Sequence, residues 1–217
     1  MLECVNTLLL DVDGTLIDSF PGIRDGFLHA LDTLGWEHPS EEFIAHIPGP
    51  PMEETLASLG MDEATCKKGL ATYLDFTHNG GWKNAQAFPG MRDLLESWKS
   101  EGFQVVTATS KGEGFARAIL EREGLLEYID FLGAAQEDGP RRRKADVIAY
   151  VLDNVDVGRG LMIGDRLHDI EGAAHFGLPT VAVTWGYGAQ AEWDQAWATA
   201  HTPADLAAIV TAFKEDQ

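Results

Sequence analysis

The stretch "LLLDVDGTLIDS", residues 8–19, decides the fold of this chain. Three leucines run into two aspartates, Asp11 and Asp13, separated by one residue and followed by Gly14. A short apolar run ended by Asp and Gly reads as a strand buried on both faces. Two carboxylates that close repel each other. Either water solvates them in a plain turn, or a specific partner compensates the charge.

Working outward, residues 5–10 read as the strand, and residues 21–35, 40–47, 52–60 and 62–78 read as helices. Pro21 stands near the start of the first helix and Gly35 at its end. "PGPP" at 48–51 and Gly60 separate the others. Residues 17–87 therefore carry helical signals and no convincing strand. After "FPG" at 88–90 the pattern alternates. Helices are expected at 91–101, 112–123, 144–154, 167–176 and 202–213, and strands at 103–109, 130–135, 160–164 and 180–185. Alternating strands and helices make a doubly wound parallel sheet, so the fold class is α/β. The expected organisation is a core of residues 1–16 plus 88–217, with a helical unit inserted at 17–87.

Ligands of such sheets sit at the carboxyl ends of the strands. Those ends carry Asp11 and Asp13, then Thr109, Ser110 and Lys111, then Gly164, Asp165 and Arg166. Carboxylates from two strands suit a hard cation such as Mg²⁺, and Asp11 and Asp165 could supply them. The cation would relieve their repulsion and attract a phosphate. Thr109 and Ser110, at a strand end leading into a helix, offer hydroxyls and free N–H groups to an anion. Lys144, at the start of a helix, could complete the phosphate cradle. Taken singly, each of these is a turn, a cap or a solvated charge run; their occurrence together and in order, three of the four at strand ends, marks a site.

The net charge of −19 excludes nucleic acid and anionic membrane as natural partners. No apolar run is long enough to span a membrane. The amino-terminal stretch, broken by Asp11 and Asp13, does not read as a signal peptide. Cys4 and Cys66 form neither a metal pattern nor a disulfide framework. The cytoplasm is the expected compartment.

With these residues in hand, the chain resembles the haloacid dehalogenase superfamily of phosphatases along nearly its whole length. The matching motifs are "DVDGTLIDS" (11–19), "TSK" (109–111), Lys144 in "RRRKADVI" and "GDRLHD" (164–169). "GPPMEETL" (49–56) and the run from Gly164 to Gly188 look closest to the phosphoglycolate phosphatase-like and 5′-nucleotidase-like branch. The third motif departs from the family in lacking its Lys-Pro, and Arg143 is a rival to Lys144 there.

The resemblance implies a Mg²⁺-dependent phosphomonoester hydrolase. Asp11 would be the nucleophile and Asp13 the acid and base. Thr109, Ser110 and Lys144 would bind the phosphate. Asp11, Asp165 and the main-chain carbonyl of Asp13 would bind the metal, with Gly14 and Asp169 in support. The insert would be a cap, and Gly49, Pro50 and Pro51 its loop nearest the substrate. Arg24, His29, Arg166 and His168 are expected at the surface or behind the site. The expected partner is a small phosphorylated metabolite, phosphoglycolate-like or a nucleoside 5′-monophosphate, and the chain is expected to be a monomer or homodimer. Asp13 argues against a dehalogenase, and the absence of lysine from residues 16–66 argues against a phosphonatase. A β-phosphoglucomutase-type isomerase and a non-catalytic phosphate-binding protein are the alternatives. "GYGAQA" (186–191) fits a dinucleotide motif, but too little chain follows it for the rest of that unit.

Overall fold

The computed structural model describes residues 6–137 and 139–215. Cys4, the expected strand start at residue 5, and residues 138, 216 and 217 of the expected core lie outside the described residues.

Strand β1 (Asn6–Leu10) is buried along its whole length. Its side chains alternate between two apolar layers, as a strand's two-residue period requires. Leu8 and Leu10 enter one layer. Leu9 enters the other. The chain then turns at Gly14 into β2 (Ile17–Asp18), followed by helices α1 (Phe20–Leu34), α2 (Glu41–Ala45), α3 (Met52–Ser58) and α4 (Glu63–His78). Strand β3 (Gln86–Ala87) pairs antiparallel with β2, so the insert leaves and rejoins the chain at one place. The remaining order is α5 (Met91–Ser100), β4 (Gln104–Gly112), α6 (Glu113–Arg122), β5 (Phe131–Ala135), α7 (Lys144–Asn154), β6 (Arg159–Gly164), α8 (Leu167–Ala174), β7 (Thr180–Val183), α9 (Gln190–Trp193), β8 (Ala198–Ala200) and α10 (Pro203–Glu215).

The main sheet has the order β5-β4-β1-β6-β7-β8, and every pairing is parallel. One layer packs Trp98 of α5, Ile119 of α6 and Val210 and Phe213 of α10 on the sheet. The opposite layer packs Val147, Ile148 and Val151 of α7 and Ala173 of α8. Helices α1 to α4 contribute Phe27, Leu31, Ile44, Met52, Leu56 and Cys66 to an apolar cluster of their own. Burying each large side chain of that kind contributes about 1.5–3 kcal/mol, which is how the insert holds together apart from the sheet.

The topology positions the site. From β1 the chain winds outward through β4 to β5, then crosses back to β6 on the other side of β1. Connections diverge at β1 and β6, and the carboxyl ends of two such strands flank a crevice. Leu10 stands in register with Ile163, so Asp11 and Asp165 emerge beside each other.

The fold departs from the expectations in its shortest parts. Strands β2 and β3 lie inside a stretch expected to carry helices and no convincing strand. Strand β8 and helix α9 were not expected at all. Two to four residues carry no measurable period, and their conformation is decided by distant chain. Strand β4 runs on past Thr109 to Gly112 through a register shift. Strand β7 stops at Val183, two residues short of the expected end, because the chain must turn there toward Asp165.

Candidate active site

Asp11 continues β1: its N–H donates to the Ile163 carbonyl at 2.9 Å, and the residue is 6% exposed. Lys144, the first residue of α7, is equally buried. Its Nζ lies 2.8 Å from Asp11 Oδ1 and 2.7 Å from Asp169 Oδ1, and donates to the Ala108 carbonyl at 2.6 Å. One ammonium thus makes two ion pairs and one hydrogen bond. Burial alone would lower the lysine's pKa, but the charges of Asp11 and Asp169 outweigh it and raise it. Arg143, by contrast, is 72% exposed and pairs with Glu54 at 2.9 Å. Of the two third-motif candidates, Lys144 is the one that reaches Asp11.

Asp165 is completely buried at the end of β6. Its Oδ2 accepts the Tyr187 N–H at 2.6 Å, and its main-chain carbonyl accepts the Trp193 indole N–H at 2.8 Å. Asp169 sits one helical turn on, where its Oδ2 accepts the Arg166 N–H at 3.0 Å and closes the first turn of α8. Asp11, Asp165 and Asp169 each bring a carboxylate oxygen within 4.8 Å of the others. Burial, chiefly, together with the neighbouring acids pushes Asp11 up to about 6, against the pull of Lys144. The same causes raise Asp165 well above the carboxylate range, opposed by the Tyr187 N–H and Arg166. The single lysine therefore undercompensates the cluster.

Glycines let the backbone close on these acids. Gly14 has φ +82°, and a Cβ there would lie 2.3 Å from Asp165 Oδ2. A Cβ on Gly186 would lie 2.3 Å from both that oxygen and the Gly14 carbonyl. Asp165 Oδ1 is buried and has no hydrogen-bond partner among the described residues. An orphaned, buried carboxylate oxygen in an acid cluster of hard donors fits a divalent cation such as Mg²⁺.

The carboxylate of Asp13 points elsewhere. Both its oxygens meet Lys111 Nζ, at 3.0 and 3.1 Å, and the Ser19 hydroxyl donates to one of them. Its side chain is therefore not part of the three-acid cluster, and any metal contact would fall to its main-chain carbonyl. Thr109 is buried, and its Oγ1 accepts the Lys111 N–H at 3.2 Å. With Ser110 it lines a cavity of about 120 Å³ that also opens on Asp11 and Asp13. Gly49, Pro50 and Pro51 line the same cavity from the insert side.

Several contacts tie the insert to the sheet. Arg142 grips Glu53 of α3 with three N–H···O contacts of 2.7–3.0 Å. Arg166, 8% exposed, donates to the Pro48 carbonyl and pairs with Glu192 at 3.1 Å. The Tyr187 hydroxyl accepts the N–H groups of Ser19 and Phe20, at 2.8 and 3.0 Å, and meets Asp18 at 3.0 Å. Arg24 pairs with Glu41 on the surface, His29 stacks on Phe76, and His168 is exposed.

Sequence reasoning named Lys111 without a role and left out Arg142, Gly186 and Tyr187. The available signal was "GYGAQA": its glycines serve close approach of backbone to Asp165, not to a dinucleotide.

Residues 8–183 match the family described as haloacid dehalogenase-like hydrolase. The chain is 39% identical over 188 residues to tyrosine-protein kinase PtkA of Mycobacterium tuberculosis, a match that covers 86% of this chain and 64% of PtkA. It is 33% identical over 205 residues to a 5′-nucleotidase of Pseudomonas aeruginosa, covering 93% of this chain and 92% of that one. The solved structure of a predicted phosphatase from Clostridium acetobutylicum superposes with a TM-score of 0.90 at 30% identity, covering 97% of this chain and all of that one. The crevice at β1 and β6, with its acids and lysine, is thus carried on a shared fold, and the chain belongs to the haloacid dehalogenase-like hydrolase family.

Proposed function

We propose that the protein is a Mg²⁺-dependent phosphomonoester hydrolase acting through a phosphoryl group carried on Asp11. One observation carries this: a buried Asp11 carboxylate, ion-paired to Lys144, opens onto a cavity whose floor offers the Thr109 and Ser110 groups. A carboxylate so placed is a nucleophile for phosphorus. In the first step an Asp11 oxygen bonds to phosphorus while the ester P–O bond breaks. Asp13 passes a proton to the leaving oxygen. Asp13, now a carboxylate, takes a proton from water as that water's oxygen bonds to phosphorus and the bond to Asp11 breaks. The products are an alcohol and inorganic phosphate, and both aspartates return to their starting state.

Lys111 and Ser19 orient Asp13 for both transfers. Thr109 and Ser110 hold the phosphoryl oxygens, and Lys144 offsets their charge. Asp11, Asp165 and the Asp13 carbonyl would hold Mg²⁺, which when bound supplies positive charge beside the phosphoryl group. Asp169 holds Lys144 in place. Residues 17–87 act as a cap over a core of residues 1–16 plus 88–217, and exclude water in the first step. The substrate is a small phosphorylated metabolite, and the working compartment is the cytoplasm. No helix among the described residues is long and apolar enough to cross a membrane.

The test is phosphate release from p-nitrophenyl phosphate and a phosphomonoester panel with Mg²⁺, with Asp11→Asn as control. Turnover lost in the control, with a phosphate adduct mapped to residue 11 in the wild type, supports the proposal. Undiminished release by Asp11→Asn refutes it. Transfer of phosphate to a protein hydroxyl, as the kinase name of the mycobacterial relative suggests for that protein, would show as labelled protein in place of free phosphate.

A further inference from the structure

We propose that the cavity over Asp11 selects phosphomonoesters whose leaving group is uncharged, apolar and no larger than a single ring, and rejects leaving groups that carry a second anion. This rests on the hydrolase proposal and names its substrate class. The cavity has two unlike ends. Its floor is polar, with Asp11, Asp13, Thr109 and Lys111. Its roof, from α1, α4 and α6, presents Ile23, Leu70, Tyr73, Leu74 and Phe115. A phosphoryl group on the floor would aim its ester oxygen and substituent at that roof.

A second anion would need an unpaired cation there, and each cation at hand is already paired with an acid. Arg142 and Lys111 are the cations that line the cavity among the described residues. Arg142 spends all five of its N–H bonds. Nε and Nη2 hold Glu53, and Nη1 donates to the carbonyls of Gln136 and Glu137 at 2.8 and 2.7 Å. Lys111 is held by both oxygens of Asp13. Lys144, behind the floor, is ion-paired with both Asp11 and Asp169 and donates to the Ala108 carbonyl. The Glu137 carboxylate stands on the cavity's edge, 3.7 Å from the exposed His78 ring. A substrate carboxylate would be stripped of water against aliphatic and aromatic carbon and would face Glu137. An apolar group would instead gain from leaving water. The volume of about 120 Å³ falls well short of the 300 Å³ or so of pockets for drug-sized ligands, which limits the group to a single ring.

The experiment compares kcat/KM for benzyl phosphate and n-propyl phosphate with that for 2-phosphoglycolate and a nucleoside 5′-monophosphate, with p-nitrophenyl phosphate as the activity control. We expect benzyl phosphate to exceed phosphoglycolate by about tenfold or more. Leu74→Lys should narrow that ratio by placing a cation in the roof. Glu137→Gln, a rim substitution that leaves the roof packing alone, should raise phosphoglycolate selectively. Calorimetric binding of benzylphosphonate and phosphonoacetate to the wild type with Mg²⁺ ranks the same two chemistries without turnover. Equal or better use of phosphoglycolate or the nucleotide, or tighter phosphonoacetate, overturns the selectivity while leaving the hydrolase proposal standing. Loss of p-nitrophenyl phosphate turnover with benzylphosphonate still preferred would refute the hydrolase proposal and keep the selectivity.

Discussion

Removing the Asp11 charge should change the pH dependence of stability by an amount the site geometry predicts. In the metal-free protein Asp11 is lifted from 3.8 to about 6 by burial and by Asp169 and Asp13, against the pull of Lys144. The folded protein then binds a proton that the unfolded chain binds more weakly. Stability from this source is complete below pH 3.8 and is lost as pH rises through about 6. A shift of about two units at 1.36 kcal/mol each amounts to about 3 kcal/mol, of which most disappears between about pH 4 and pH 8. The other acids titrate over the same range, so the measurement is a difference. Wild type and Asp11→Asn are unfolded by urea in EDTA at a series of pH values. The variant lacks the titrating group, so its stability relative to wild type should rise by about 2–3 kcal/mol on going from low to neutral pH. In thermal melts this is a relative gain on the order of 4–12 °C for a chain of this size. At pH 7.5, Mg²⁺ at a hundred times its dissociation constant should return about 2.7 kcal/mol to the wild type and little to the variant. Two curves that stay parallel across the pH range would refute the account of the cluster as an undercompensated set of buried acids.

Lys144→Met should destabilise the protein by about 3–5 kcal/mol at neutral pH, because it strands Asp11 and Asp169 without their cation. The loss should shrink at pH 5, where Asp11 is protonated, and urea titrations at the two pH values check this. Gly186→Ala should weaken Mg²⁺ binding by about tenfold or more at an unchanged fold, since a Cβ there meets Asp165 and Gly14 at 2.3 Å; calorimetry with Mg²⁺ and circular dichroism read the two quantities. Arg142→Ala removes the three-contact grip on Glu53 and should raise hydrogen exchange across residues 46–54. It should also raise KM more than it lowers kcat, because it loosens the cap and leaves Asp11 untouched.

The α/β class, the central strand, the place of Asp11, Thr109 and Asp165 at strand ends and that of Lys144 at a helix start were legible in the chain itself. The physical reason is local. A strand buried on both faces must be a short apolar run, and a parallel sheet must alternate such runs with amphipathic helices. A chain that breaks these runs with Asp, Thr and Lys marks its own crevice. Tertiary structure decided what depends on residues far apart in sequence. It set Lys144 rather than Arg143 against Asp11, because the start of α7 buries one side chain and leaves the other facing Glu54. It turned the Asp13 carboxylate away from the other acids to Lys111. It brought Gly186 and Tyr187 onto Asp165, and joined residues 17 and 87 in a two-residue ladder with no period to announce it. It also spent the charge of Arg142 on Glu53, leaving an apolar roof over the nucleophile. Periodicity records which face of an element is buried; which charges meet, and which are already neutralised when they do, is settled only when the elements pack.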